Sequence, residues 1–227
     1  MRLFLNFLQK DLSLELRSKE NISLFSSLGV LIAILISFGV SSSFIKSSVI
    51  LRLLPTFVWL SFFLLATFTL GRSFDQDLEE DNISFLIINK LSLTAFFFSK
   101  VISNFLISII GFISTSVALL VLLPVSLSYM TICQCMIVSI MVIFAFSLLA
   151  SLLGIMSNQS KISTLLLPLI LLPLIFPLFF AALELFSIII IEEKDILHTS
   201  WFSLLCVLNI VYLILGIYLA PYALKRN

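Results

Sequence analysis

The chain has 227 residues, 61% of them hydrophobic and 11% charged, with a formal net charge of +1. A soluble domain is nearer half apolar and a quarter charged, so this composition reads as membrane-embedded. Near-neutral charge, with no basic run interleaved with aromatics, excludes nucleic acid as the partner. The 23 Phe suit lipid-facing and helix-packing surfaces.

Residues 1–20 are too charged to cross a bilayer, and they lack the short apolar core and small-residue cleavage site of a signal peptide. On a helical wheel Arg2, Asn6, Gln9, Lys10, Ser13 and Arg17 share one sector. Phe4, Leu5, Phe7, Leu8, Leu12 and Leu16 fill the rest, which predicts an amphipathic helix lying in the membrane interface. Asp11 and Glu15 break that apolar face and, four residues apart, are neighbours on it. The plain reading is a pair of solvated charges at an edge; the sharper one is that they meet a cation from another loop or subunit.

A helix needs about 20 apolar residues to cross the hydrocarbon. Six stretches meet that length, roughly 21–40, 50–71, 101–123, 131–155, 163–191 and 200–221. They are continuously apolar rather than alternating, which rules out barrel strands. With the N-terminus in the cytoplasm, that side carries Arg2, Lys10, Arg17, Lys19, Arg72, Lys90, Lys100, Lys161, Lys225 and Arg226, and the other side only Lys46, Arg52 and Lys194. The bias places both termini in the cytoplasm.

Between the second and third spans, Gly71 to Lys100 forms the one long polar interruption. Asp75, Asp77, Glu79, Glu80 and Asp81 are followed by the apolar run Ile83, Phe85, Leu86, Ile87, Ile88. Asn82 or Ser84 can cap a short helix there, and the acids favour its positive end. Such a helix, parallel to the membrane with apolar knobs and an acidic edge, is built to seat on another protein. The alternative is a solvated loop whose charge merely keeps it cytoplasmic.

Pro168, Pro173 and Pro177 interrupt the fifth span. A proline removes a helix hydrogen bond, so one reading ends the crossing near Pro177 and makes 178–191 re-entrant. Glu184 would then mark a functional site if it lies at hydrocarbon depth, or be simply wet if it lies near the interface. The following outer loop carries Glu192, Glu193, Lys194, Asp195 and His198. Glu184 and His198 are the candidates for an outer-side site; a lone loop histidine is most often solvated, and metal or haem ligation is its sharper alternative.

Catalytic chemistry is not expected. The chain has no phosphate-binding glycine loop, its six glycines being scattered, so it cannot hydrolyse ATP by itself. It has one histidine, no paired intramembrane aspartates and no metal motif. Cys133 and Cys135 are two apart, point to nearly opposite sides of a helix and read with Cys206 as apolar fillers. Asn104 and Asn209, with Glu184 if it lies at hydrocarbon depth, are the polar groups within the spans that a secondary carrier could use, and no internal repeat supports one.

Three segments resemble the CcmB family, the membrane subunit of the ABC system for cytochrome c maturation. Lys10-Asp11 with Glu15 and Arg17 is similar to its K/R-D-x-x-x-E-x-R opening. Arg72-Ser73-Phe74, Asp77, Asp81-Asn82 and Lys100-Val101 look like its R-x-F-x-x-D…D-G-x-x-E…K-V loop, and the triple-proline stretch 165–179 resembles its fifth span. Asn82 replaces the usual Gly, and Phe85 falls near the usual Glu. Asn tolerates left-handed backbone, so the turn survives, but a salt bridge through that Glu does not carry over.

The resemblance implies an all-α permease of the ABC-2 type, in the bacterial inner membrane or, if organelle-encoded, the mitochondrial one. It implies a coupling helix around Phe74–Ile88 seated on a CcmA-like ATPase, CcmC- and CcmD-like partners, the haem chaperone CcmE, and two copies per complex. ATP would act through the partner, with haem as cargo and no cofactor resident in this chain. The rivals are an ABC-2 permease exporting lipid or polysaccharide, and a secondary carrier or channel.

Overall fold

The computed structural model describes residues 7–13, 20–42, 46–70, 93–157 and 163–225. Residues 7–13 are helical. The long helices are α1 (Glu20–Ser42), α2 (Ser47–Leu70), α3 (Leu93–Leu122), α4 (Tyr129–Ser157), α5 (Ser163–Ser187, running on into a π-helical turn Ile188–Glu192) and α6 (Ser200–Lys225). All six are long and apolar enough to cross a membrane. The fold is all-α, with no strand among the described residues.

The helices form a closed arrangement around α4. It packs against α3, α5 and α6 and more lightly against α2; α2 in turn touches α3 and α5, and α6 touches α3 and α5. α1 packs on α3 and α2 from outside. Burial follows this order: 72% of the α4 span is buried, against 17% for α1 and for α6.

In lipid the tails are as apolar as leucine, so side-chain packing must hold the helices together. Trp59 of α2, fully buried, lies 5.2 Å ring to ring from Phe112 of α3 and 5.1 Å from Phe186 of α5. Its neighbour Phe62 meets Phe25 of α1 and Phe146 of α4. One aromatic cluster therefore joins α1, α2, α3, α4 and α5. Small residues bring α1 onto α3: a Cβ at Gly111 would run into the Phe25 ring, and one at Gly29 into Thr115. Helices of this closeness are the membrane use of glycine.

Two boundaries differ from expectation. α3 begins at Leu93, well before the expected 101, because Lys100 is paired inside the bundle rather than left in a loop. The fifth span has no break near Pro177: α5 is one helix through Pro173 and Pro177, and 178–191 is not re-entrant. Neighbouring helices accommodate such prolines in membranes. Here Tyr212 of α6 donates its hydroxyl to the Leu174 carbonyl at 2.8 Å, one residue beyond Pro173. After the π turn, Glu193 takes a left-handed conformation (φ 50°) and ends the helix. Thr199 caps α6: its hydroxyl accepts from the Phe202 N–H and donates to the Ile196 carbonyl.

Candidate functional site

The described part of the predicted machinery is the join between the N-terminal segment and the first turns of α3. Phe7 and Asp11, four apart, share one helical face, with Gln9 and Ser13 exposed on the other. On α3, Phe96, Ser99 and Lys100 likewise share a face. The two faces fit. Phe7 meets Phe96 edge-on at 6.0 Å. The Lys100 ammonium pairs with Asp11 Oδ1 at 3.1 Å, and both side chains are below 10% exposed. Lys100 also sits 6.0 Å from the centroid of the Phe96 ring. The Ser99 hydroxyl lies 3.3 Å from Asp11 Oδ2 and 2.7 Å from the Phe96 carbonyl, with one proton to share between them.

Burying two charges costs desolvation that their attraction offsets only in good geometry. Removing either partner takes from the other the opposite charge it faces in the buried join. The join ties the N-terminal segment to the first turns of α3.

Asp11 thus meets a cation from another segment, Lys100 of α3. Glu15 and Arg17 lie outside the described residues. So do Phe74, Asp75, Asp77, Glu79, Glu80, Asp81, Asn82, Ile83, Phe85 and Ile88, the predicted coupling segment.

At the opposite end, the predicted outer-side residues do not come together. Glu184 is exposed on α5 and His198 exposed in the loop before α6, and neither makes a hydrogen bond or ion pair among the described residues. Polar contacts there form elsewhere. Gln134 of α4 donates to Asp195 at 3.2 Å, beside a recess of about 360 Å³ lined by Ser128, Thr131, Gln134, Glu193 and Asp195. Lys194 donates to Glu192 at 2.8 Å in full exposure. That hydrogen bond raises the Lys194 pKa above its ordinary 10.5. No group of three metal-ligating side chains exists among the described residues.

Inside the bundle, the two asparagines that a carrier could use are occupied. Asn104 of α3 donates to Ser151 of α4 at 3.0 Å, with both side chains buried. Asn209 donates to the Leu205 carbonyl of its own helix. An apolar crevice among α2, α3, α4 and α5, lined by Leu54, Val58, Phe112, Met136 and Ile190, has a volume of about 70 Å³. Small-molecule sites begin at about 300 Å³, so the crevice is too small for one.

The family model for the CcmB protein matches residues 2–227, essentially the whole chain. The chain belongs to the CcmB family. As a member it is a membrane subunit of the haem-exporting ABC transporter, and family members are permease subunits. No curated protein matches the chain.

The Asp11–Lys100 contact was only half legible in sequence. A carboxylate on an apolar helical face signals a missing cation, but nothing in the spacing of residue 11 and residue 100 pairs them. The Trp59 cluster was missed altogether: Trp59 reads as isolated along the chain, because its partners come from other helices.

Proposed function

We propose that this chain is the membrane subunit through which a separate ATPase drives haem delivery in c-type cytochrome maturation, releasing a haem-loaded chaperone of the CcmE kind on the outer side. Membership of the CcmB family across residues 2–227 carries this reading. The sequence contains no phosphate loop, so the work must come from another chain. Residues 74–88 are the segment we assign to the ATPase seat, with Ile83, Phe85 and Ile88 as its apolar knobs and the acids Asp75–Asp81 orienting its start. A displacement there enters α3, whose first turns are locked to the N-terminal segment by Asp11 and Lys100. α3 and the N-terminal segment would then move as one piece. On this reading both termini are cytoplasmic, and the ATPase and the CcmC- and CcmD-like partners assemble on the chain.

The test replaces Phe85 and Ile88 together with Asp in a strain whose only copy is the variant. The expected outcome is normal membrane insertion, no ATPase subunit co-purifying, and apocytochromes c without haem. Unchanged co-purification removes residues 83–88 from the interface. Normal c-type cytochromes in a strain lacking the gene overturn the function itself.

A further inference from the structure

Glu184 stands exposed on the outward side of the bundle, with no hydrogen bond or ion pair among the described residues. The inner face of α5 is buried through Leu178, Ala181, Ala182, Leu185 and Phe186. The outer face carries Phe176 and Phe180, each 51% exposed, whose rings stack at 6.2 Å and 22°. Glu184 continues this stripe four residues on, exposed like them. Phe186, two residues on, meets Trp59 at 5.1 Å, and Trp59 stands twelve residues into α2 from Ser47. At 1.5 Å per residue that level is roughly 18 Å from the start of α2, a depth within the hydrocarbon. A carboxylate facing lipid at that depth is costly and calls for a partner.

The described residues do not offer one. Among the described residues at that end, Lys194 is paired with Glu192 outside the span and Lys46 precedes α2. Arg52 is exposed on α2, five residues from the helix start at Ser47. That places it nearer the surface than Glu184, and its long stem lets the guanidinium reach outward to water. A second copy packed across a two-fold axis would set Glu184 against itself, a like-charge contact, or against an Arg52 at the wrong level.

We propose that the Phe176–Phe180–Glu184 face of α5 docks a transmembrane segment of another protein, one that presents a lysine or arginine at the depth of Glu184. The two phenylalanines supply rigid apolar area, and the carboxylate selects the partner and fixes its register. Inside the membrane such a pair specifies which helix binds, because a segment without the cation leaves Glu184 bare. The proposal concerns the outer half of α5 and stands whether or not the ATPase seat is at residues 83–88.

The experiment places a photo-cross-linking benzophenone side chain at position 180 of the full chain in its native membrane and maps the adduct by mass spectrometry. The expected adduct is a transmembrane segment of a different protein that contains lysine or arginine. Glu184→Leu should cut its yield by about tenfold or more, as for truncating one partner of a buried charge pair. Glu184→Lys combined with the captured basic residue changed to Glu should restore it. Glu184→Leu removes a charge from a lipid-facing position, so insertion is retained and serves as the loading control. Adducts to lipid alone, adducts to a second copy of this chain, or a yield unchanged by Glu184→Leu each overturn the proposal.

Discussion

Two ion pairs stand at the two ends of the bundle, and they differ in almost everything but chemistry. Lys100 and Asp11 are 89 residues apart in sequence, buried, and braced by Phe96 and Ser99. Lys194 and Glu192 are two residues apart, with 70% and 48% of their side chains exposed. Water competes for the second pair, which is therefore worth little to the fold. It is largely kept from the first, so there the attraction counts for more. A charge pair fixes structure only where solvent has been removed, and this protein has removed it at the end next to the 71–92 segment.

The largest effect should come from breaking the buried pair. Lys100→Met takes the facing cation from the buried Asp11, a loss of up to about 3–5 kcal/mol. The expected outcome is a lower thermal midpoint in detergent and loss of c-type cytochrome maturation. Adding Asp11→Leu should recover most of the stability, since a buried pair replaced by apolar groups is often neutral. Recovered stability without recovered maturation would separate a coupling role from a packing one. If Lys100→Met is silent, the join carries neither.

A smaller effect is expected at the neutral contact between the two ends. Ser151→Ala strips Asn104 of its acceptor, and interhelical hydrogen bonds of this kind average about 0.6 kcal/mol in membranes. The midpoint should fall slightly, with maturation intact. A loss as large as that of Lys100→Met would mean that α3 and α4 are held by this one bond rather than by the aromatic cluster.

The smallest effect belongs to the exposed pair. Lys194→Ala should leave thermal stability unchanged within error. The Lys194 pKa is raised in the folded chain by Glu192, so whatever the pair contributes is present below pH 10.5 and disappears as pH rises through the folded value. A melting series in that alkaline range should show no step that Lys194→Ala removes. A step would show that the exposed pair matters as the buried one does.

Much of the fold was legible because a bilayer imposes length and apolarity on every crossing. All six spans were visible in the sequence. Where the boundaries slipped, a single residue type misled. Lys100 reads as the end of a loop, since a lone lysine does not belong in a span, yet with Asp11 against it the helix begins at Leu93. The prolines of α5 read as a break, but the helices around them hold α5 straight through Ser187. Of the candidate site, Asp11 and Glu184 stood out as open questions for one reason: a carboxylate on an apolar helical face requires an explanation. Only the packing decided that Lys100 is the charge Asp11 faces.

Hydropathy is a property of short segments, and it determined by itself that this chain has six helices able to cross a membrane. Which charge meets which, which aromatic rings touch Trp59, and which face of α5 looks outward depend on contacts between residues tens of positions apart. Only the packing of the helices around α4 decided these, because in a membrane every helix is apolar on all sides and its own sequence does not declare which side is the inside.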